Sequence, residues 1–236
     1  EVNTECCIFV IKKGIEKKHS VLTSVLNNKG IIIWNNNIKQ KYFIGLPNKI
    51  FNIYLTSKDI KIINKLLSNS KYLSSFVEIK RGMEIGKKKA TSTTKGIKVL
   101  IGEDVSRYYL EFKKTFISNI EKEIIRLKSF SEVKEKMLIR RVSKNLESTI
   151  DINGYYFLKN LYSCLPQVDI DLKYLVGILN SRLINYFFKK YFTTKKQDIF
   201  PEFQKYQLEQ IPIFDIDFND KTYLKIINLV IEILDN

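Results

Sequence analysis

Short apolar runs separated by polar turns fill much of the chain, and in a few places the spacing changes from strand-like to helical. The run Met137, Leu138, Ile139 predicts a buried strand within KMLIRRVSKNLESTID. It delivers two adjacent cations, Arg140 and Arg141, with Lys144 three residues later. Consecutive strand residues point to opposite faces, so at most one of the two arginines is buried and the other meets solvent or a partner. The pair reads either as ordinary solvated charge or as a grip on a phosphate backbone. Beyond it, Asn153-Gly154 predicts a hairpin turn joining this strand to the aromatic strand YYFL.

Taken in order, Thr4 to Lys13 (TECCIFVIKK) predicts a strongly apolar strand that begins at once, as if its sheet partners lay upstream. GIIIW, KYFIGL and KIFNIYL, between Gly30 and Leu55, predict three further strands or extended segments, with NNNIKQK at 35 to 41 as a loop. Thr56 and Asp59 match a capping box that opens a helix carrying Ile60, Ile63 and Leu67 on one face. Ser68 to Ser75 reads as a polar connector. A strand at Phe76, Val77 and Ile79 follows, then a loop with Gly82, Gly86 and the basic triplet Lys87, Lys88, Lys89.

Gly96 to Phe112 predicts two strands around the turn GED, with Arg107 and the Tyr108–Tyr109 pair at the start of the second. Ser118 to Lys136 is charged and helical. From Asp169 a helix carries Leu172, Leu175, Val176, Leu179 and Leu183 on one face, with Lys189 and Lys190 at its end. The loop YFTTKKQDIFPEF, holding Lys195 and Lys196, leads to a last amphipathic helix with Tyr223, Ile226, Ile227, Val230 and Leu234. The fold class is mixed α/β, a twisted and largely antiparallel sheet flanked by helices and preceded by a truncated strand-rich tail.

Charge narrows the function. Forty Lys and Arg against twenty-five Asp and Glu give +15, which points to a polyanionic partner. With 44% hydrophobic residues in 236, the chain is long enough for a real core. No apolar run approaches a membrane span, so a cytoplasmic protein is expected. Cys6, Cys7 and Cys164 show no disulfide framework, and with His19 the only histidine there is no metal-ligand spacing or nucleophile–His pairing to build on. RGMEIGK lacks the spacing and the Lys-Ser/Thr ending of a P-loop.

Several phrases in a fixed order carry a resemblance: VEIKRGMEIGKKKA, VLIGEDVSRYYLE, KMLIRRVSKNLESTID, GYYFLKNLYSCLP, YLVGILNSRLINYFFKKYF and FPEFQKYQLEQIPIF. Over roughly residues 58 to 214 the chain resembles the TaqI-like C-terminal specificity domain, the target-recognition part of adenine-specific DNA methyltransferases and type IIG restriction-modification enzymes. The resemblance implies a remnant of a methyltransferase domain and connector at 1–57, a DNA target-recognition domain at 58–214 and a C-terminal helix at 215–236.

It also implies duplex DNA as partner, an upstream methyltransferase domain in the same protein, and a parent enzyme that uses S-adenosylmethionine, with Mg²⁺ only if it also cuts DNA. The family's Asn-Pro-Pro-Tyr/Phe tetrapeptide is absent, since Pro47, Pro166, Pro201 and Pro212 all follow residues other than Asn. No Gly-rich methyl-donor loop is present either, so this chain alone is expected to hold no cofactor and to transfer no methyl group. Lys87, Lys88, Lys89, Arg107, Arg140, Arg141, Lys144, Lys195 and Lys196 are the expected DNA-facing set. A non-catalytic RNA- or polyanion-binding protein explains the charge equally well, and a helix-mediated protein-interaction module is a third reading.

Overall fold

The computed structural model describes residues 8–11, 14, 19–46, 51–85, 95–117, 121–192, 202–215 and 217–235, with the backbone alone for 121–125. Lys87, Lys88, Lys89, Lys195 and Lys196 lie outside the described residues, as do Cys6 and Cys7. The chain divides into two units, Glu1–Ser57 and Lys58–Asn236.

The first unit is built on an antiparallel hairpin of β1 (Ser20–Leu26) and β2 (Ile32–Lys39). Asn27 makes its turn by accepting the backbone N–H groups of Lys29 and Ile31, each at 2.9 Å, while Gly30 takes φ +75°. The Asn-rich tract expected to be a loop is instead half of β2, because cross-strand bonds satisfy it. Ser24 Oγ donates to Asn35 Oδ1, and the Asn36 amide donates to the carbonyl of Leu55. KYFIGL forms the single helical turn α1 (Lys41–Ile44), and the segment from Phe51 to Leu55 is a turn rather than a strand. Of the expected first strand, Ile8 to Ile11 lie outside any strand and are 69–97% exposed. An apolar run becomes a strand only where a neighbour bonds its backbone.

The second unit is organised by a four-stranded antiparallel sheet in the order β10 (Ser148–Asp151), β9 (Lys136–Arg140), β12 (Leu161–Pro166) and β4 (Val77–Arg81). Strand β9 lies inside it, and Met137, Leu138 and Ile139 are buried, as their apolar run predicts, with Lys136 buried beside them. A second sheet sets β11 (Tyr156–Phe157) parallel to β5 (Ile97–Leu100), which pairs antiparallel with β8 (Phe116–Ile117). Met83, Leu100, Val105, Leu127, Leu138, Phe157 and Leu161 form the core between these elements.

Asn153-Gly154 does turn the chain, with Gly154 at φ +72°, but not as the expected hairpin. Strand β10 precedes the turn and β11 follows it into the other sheet, so the hairpin partner of β9 is β10. The Asp151 side chain fixes this corner by accepting the N–H groups of Asn153 (2.8 Å) and Tyr155 (2.9 Å). The polar connector at 68–75 likewise contains β3 (Ser70–Tyr72), which pairs with β13 (Pro212–Phe214).

Helix α2 spans Ser57–Ser68, as its pattern predicts, whereas α3 (Glu121–Ser131) ends short of the expected Lys136, which opens β9 instead. The apolar face from Asp169 is carried by two helices rather than one, α4 (Leu172–Asn180) and α5 (Arg182–Phe192). Ser181 breaks them with ψ 151°, and its Oγ accepts the N–H of Ile184 at 3.2 Å, starting the new helix. After the short helix α6 (Lys205–Glu209), the last helix α7 (Lys221–Leu234) packs on α4. The Tyr174 and Tyr223 rings meet at 4.7 Å, and Gly177 lets the two helices approach closely: a Cβ there would lie 3.0 Å from Ile226 and Val230.

Candidate nucleic-acid interface

Strand β9 ends at Arg140, and the loop from Arg141 to Glu147 returns the chain into β10. The two arginines diverge, as their opposite faces require, but neither stands open to solvent. The Arg140 guanidinium pairs with Glu147 at 3.2 Å and donates to the carbonyls of Val142 (3.1 Å) and Val105 (3.4 Å). Arg141 pairs with Glu202 and donates to the Lys159 carbonyl at 3.4 Å. Their side chains are 29% and 16% exposed. Both are part-buried and each meets a partner, because the chain returns past both: β6 (Val105–Ser106) flanks Arg140, and Glu202–Phe203 bonds along Arg141 through Phe203 N–H to Arg141 O at 2.8 Å.

Arg107 and Tyr108 form the turn of a small hairpin between β6 and β7 (Tyr109–Leu110), rather than the start of a long strand. Tyr108 sits at φ 62°, with its N–H on the Ser148 carbonyl at 3.0 Å. The hairpin is anchored by Asp104, whose carboxylate accepts the N–H groups of Ile101 (2.8 Å) and Lys113 (3.1 Å). Burial raises the Asp104 pKa, against the pull of those two bonds. The exposed Arg107 lies over the Tyr108 ring and donates to the carbonyl of Asn180 at 2.6 Å. Tyr109 is 58% exposed.

The α4–α5 junction completes the surface. The Asn180 side chain is buried and bonds both ways to Ser148, accepting its N–H at 2.9 Å and donating to its carbonyl at 2.8 Å. Asn185 accepts the N–H of Leu146 at 2.6 Å and donates to the carbonyls of Ser181 (2.9 Å) and Leu179 (3.4 Å). Lys189, one turn on, donates to Asn145 Oδ1 at 2.8 Å, and Arg182 and Lys144 are exposed.

The cations therefore fall into two kinds. Arg140 and Arg141 are neutralised by carboxylates, whereas Arg107 and Lys189 are held by uncharged oxygens and, among the described residues, form no ion pair. Asn180, the last residue of α4, and Asn185, inside α5, were not singled out by sequence, although asparagine within a helix is a signal, because it forfeits helix propensity for a side-chain bond. Among the described residues no group of three His, Cys, Asp or Glu side chains is placed to share a metal ion. No described helix is long and apolar enough to cross a membrane.

Residues 97–213 match the family model of the TaqI-like C-terminal specificity domain. No curated protein sequence matches the chain. Among solved structures, the type IIG restriction endonuclease BpuSI is similar at 10% identity and TM-score 0.51, over 84% of this chain and 31% of that one. The S subunit of a type-I restriction-modification system from M. genitalium aligns at 13% identity and TM-score 0.42, over 70% of this chain and 38% of that one. The HsdS subunit from Thermoanaerobacter tengcongensis aligns at 10% and 0.45, over 75% and 43%. The chain thus spans less than half the length of each. The matched segment contains the hairpin with Arg107, the Arg141–Glu147 loop and the α4–α5 junction, and over residues 97–213 the chain is similar to the TaqI-like C-terminal specificity domain.

Proposed function

We propose that this chain recognises a target sequence in duplex DNA as the specificity part of a restriction-modification enzyme. The observation that carries the reading is the gathering of Arg107, Lys144, Arg182 and Lys189 around one helix junction, within or beside a hairpin and a loop of the matched family segment. Cations on uncharged partners can neutralise phosphates without first breaking an ion pair, so this group fixes position on the duplex. Lys87, Lys88, Lys89, Lys195 and Lys196 belong to the same proposed set. Arg140 and Arg141 support it from beneath, holding the loop through Glu147 and Glu202.

In this reading the parent protein carries an adenine-specific methyltransferase domain upstream and uses S-adenosylmethionine there, while the present chain holds the duplex in register so that an adenine can be taken out of the stack. Selection from a randomised duplex library at two salt concentrations tests recognition. Enrichment of one short motif that persists at higher salt supports it. Tight low-salt binding that enriches nothing, or preference for structured RNA, supports the general polyanion reading instead.

A further inference from the structure

We infer that Asn185, together with Asn180, is a positioning residue for the DNA-facing loop, an inference that rests on the recognition reading above. The loop from Arg141 to Glu147 has backbone partners at its two ends, where Arg141 bonds Asn160 and Phe203 and the Glu147 carbonyl accepts the N–H of Arg140 at 2.9 Å. Between those ends the amide of Leu146 finds its acceptor in a side chain, Asn185 Oδ1 at 2.6 Å. The same side chain ties back to the helix break through its amide donors, to the carbonyls of Ser181 at 2.9 Å and Leu179 at 3.4 Å. One amide group therefore bridges the loop and the junction using both its acceptor and its donors.

Asn180 does the equivalent one step along, clamping both backbone groups of Ser148 while its own carbonyl receives Arg107. The hairpin with Arg107, the loop with Lys144 and the start of α5 with Arg182 are so fixed to a single pair of asparagines. Phosphates lie at set spacings along a duplex, so cations contribute together only if their mutual placement is held. The break at Ser181 is what makes both side chains available: in one continuous helix, residues five apart diverge in direction.

The test is a double-mutant cycle in duplex binding by the full chain, with Asn185→Ala, Lys144→Ala and the two combined. If Asn185 acts through the loop, Asn185→Ala weakens binding about tenfold and lowers the salt slope by about 1, and adds little once Lys144 is already alanine. Penalties that simply add, or a Lys144→Ala variant that binds as the wild type does, overturn the inference while leaving recognition standing. Failure of the wild-type chain to bind any duplex overturns recognition and this inference with it. Hydrogen exchange on the unmodified protein provides a reading independent of how the variants fold: protection is expected at the amides of Leu146 and Ser148, and rapid exchange at both overturns the clamp.

Discussion

Lys136 and Asp151 meet across β9 and β10 with Nζ and Oδ2 2.6 Å apart, and neither side chain reaches solvent. Both groups make further hydrogen bonds. Lys136 also donates to the Ser131 and Val133 carbonyls, at 2.8 and 3.3 Å, and Asp151 accepts the two corner N–H groups before β11. Burial lowers the Lys136 pKa while Asp151 pulls it back up. Lys136→Met strands a buried carboxylate and is expected to cost about 3–5 kcal/mol, read from urea unfolding. A loss below about 1 kcal/mol would show that the corner stands without its cation.

Alkaline stability follows from two tyrosines. Burial raises Tyr174 to about 12, and burial followed by the hydrogen bond to Asp59 raises Tyr186 to about 12, from an ordinary value of 10.0. Unfolded tyrosines release their protons first, so this stabilisation is complete below pH 10 and is lost as pH rises through 12. Thermal melts from pH 9 upward should show a falling midpoint, with a shallower fall in Tyr174→Phe. An equally steep fall in that variant would assign the effect elsewhere.

Cys164 is buried in β12, and burial pushes its thiol far above the usual range. At pH 8 an alkylating reagent should leave Cys164 unmodified in the native protein and label it in denaturant, as peptide mass spectrometry would resolve. Native labelling at that site would mean that the sheet opens readily.

Gly82 lies where a side chain has no room, since a Cβ would fall 2.2 Å from the Leu158 carbonyl oxygen. The contact is backbone against backbone, where the Gly82 N–H reaches Leu161 O and the Met83 N–H reaches Phe157 O. Gly82→Ala should destabilise by about 3 kcal/mol. A near-neutral variant would indicate that this crossing yields easily.

The two kinds of cation should separate in salt titrations. Arg107→Ala and Lys189→Ala should each lower the salt slope of duplex binding by about 1, because each removes a cation that forms no ion pair among the described residues. Arg141→Ala should change the slope less and the melting temperature more, since it leaves Glu202 without its partner. The reverse ordering would place the arginine pair at the phosphates.

Much of the second unit could be read from residue patterns, because burial writes itself into them. KMLI and the Ile60, Ile63 spacing mark β9 and α2 directly. What escaped was decided by partners distant in sequence. The Asn tract of β2 looks like a loop until Ser20 to Leu26 lies beside it, and Asn153-Gly154 carries the turn signal without saying which strands it joins. Ser181 interrupts a continuous apolar face, which periodicity alone cannot register. At the candidate interface, Arg140 and Arg141 were visible as adjacent cations, but Glu202, 61 residues beyond Arg141 in sequence, was not visible as a counter-charge.

The pairing of β4 with β12 has a consequence for synthesis. Val77 to Arg81 leaves the ribosome roughly 80 residues before the strand that covers it, a delay of about 4–16 s at ordinary elongation rates. Over that interval a strand with Val77 and Ile79 on its inner face has no neighbour. The nascent chain is then most exposed to pairing with another copy of itself, and holding that strand apart is the service a chaperone would render.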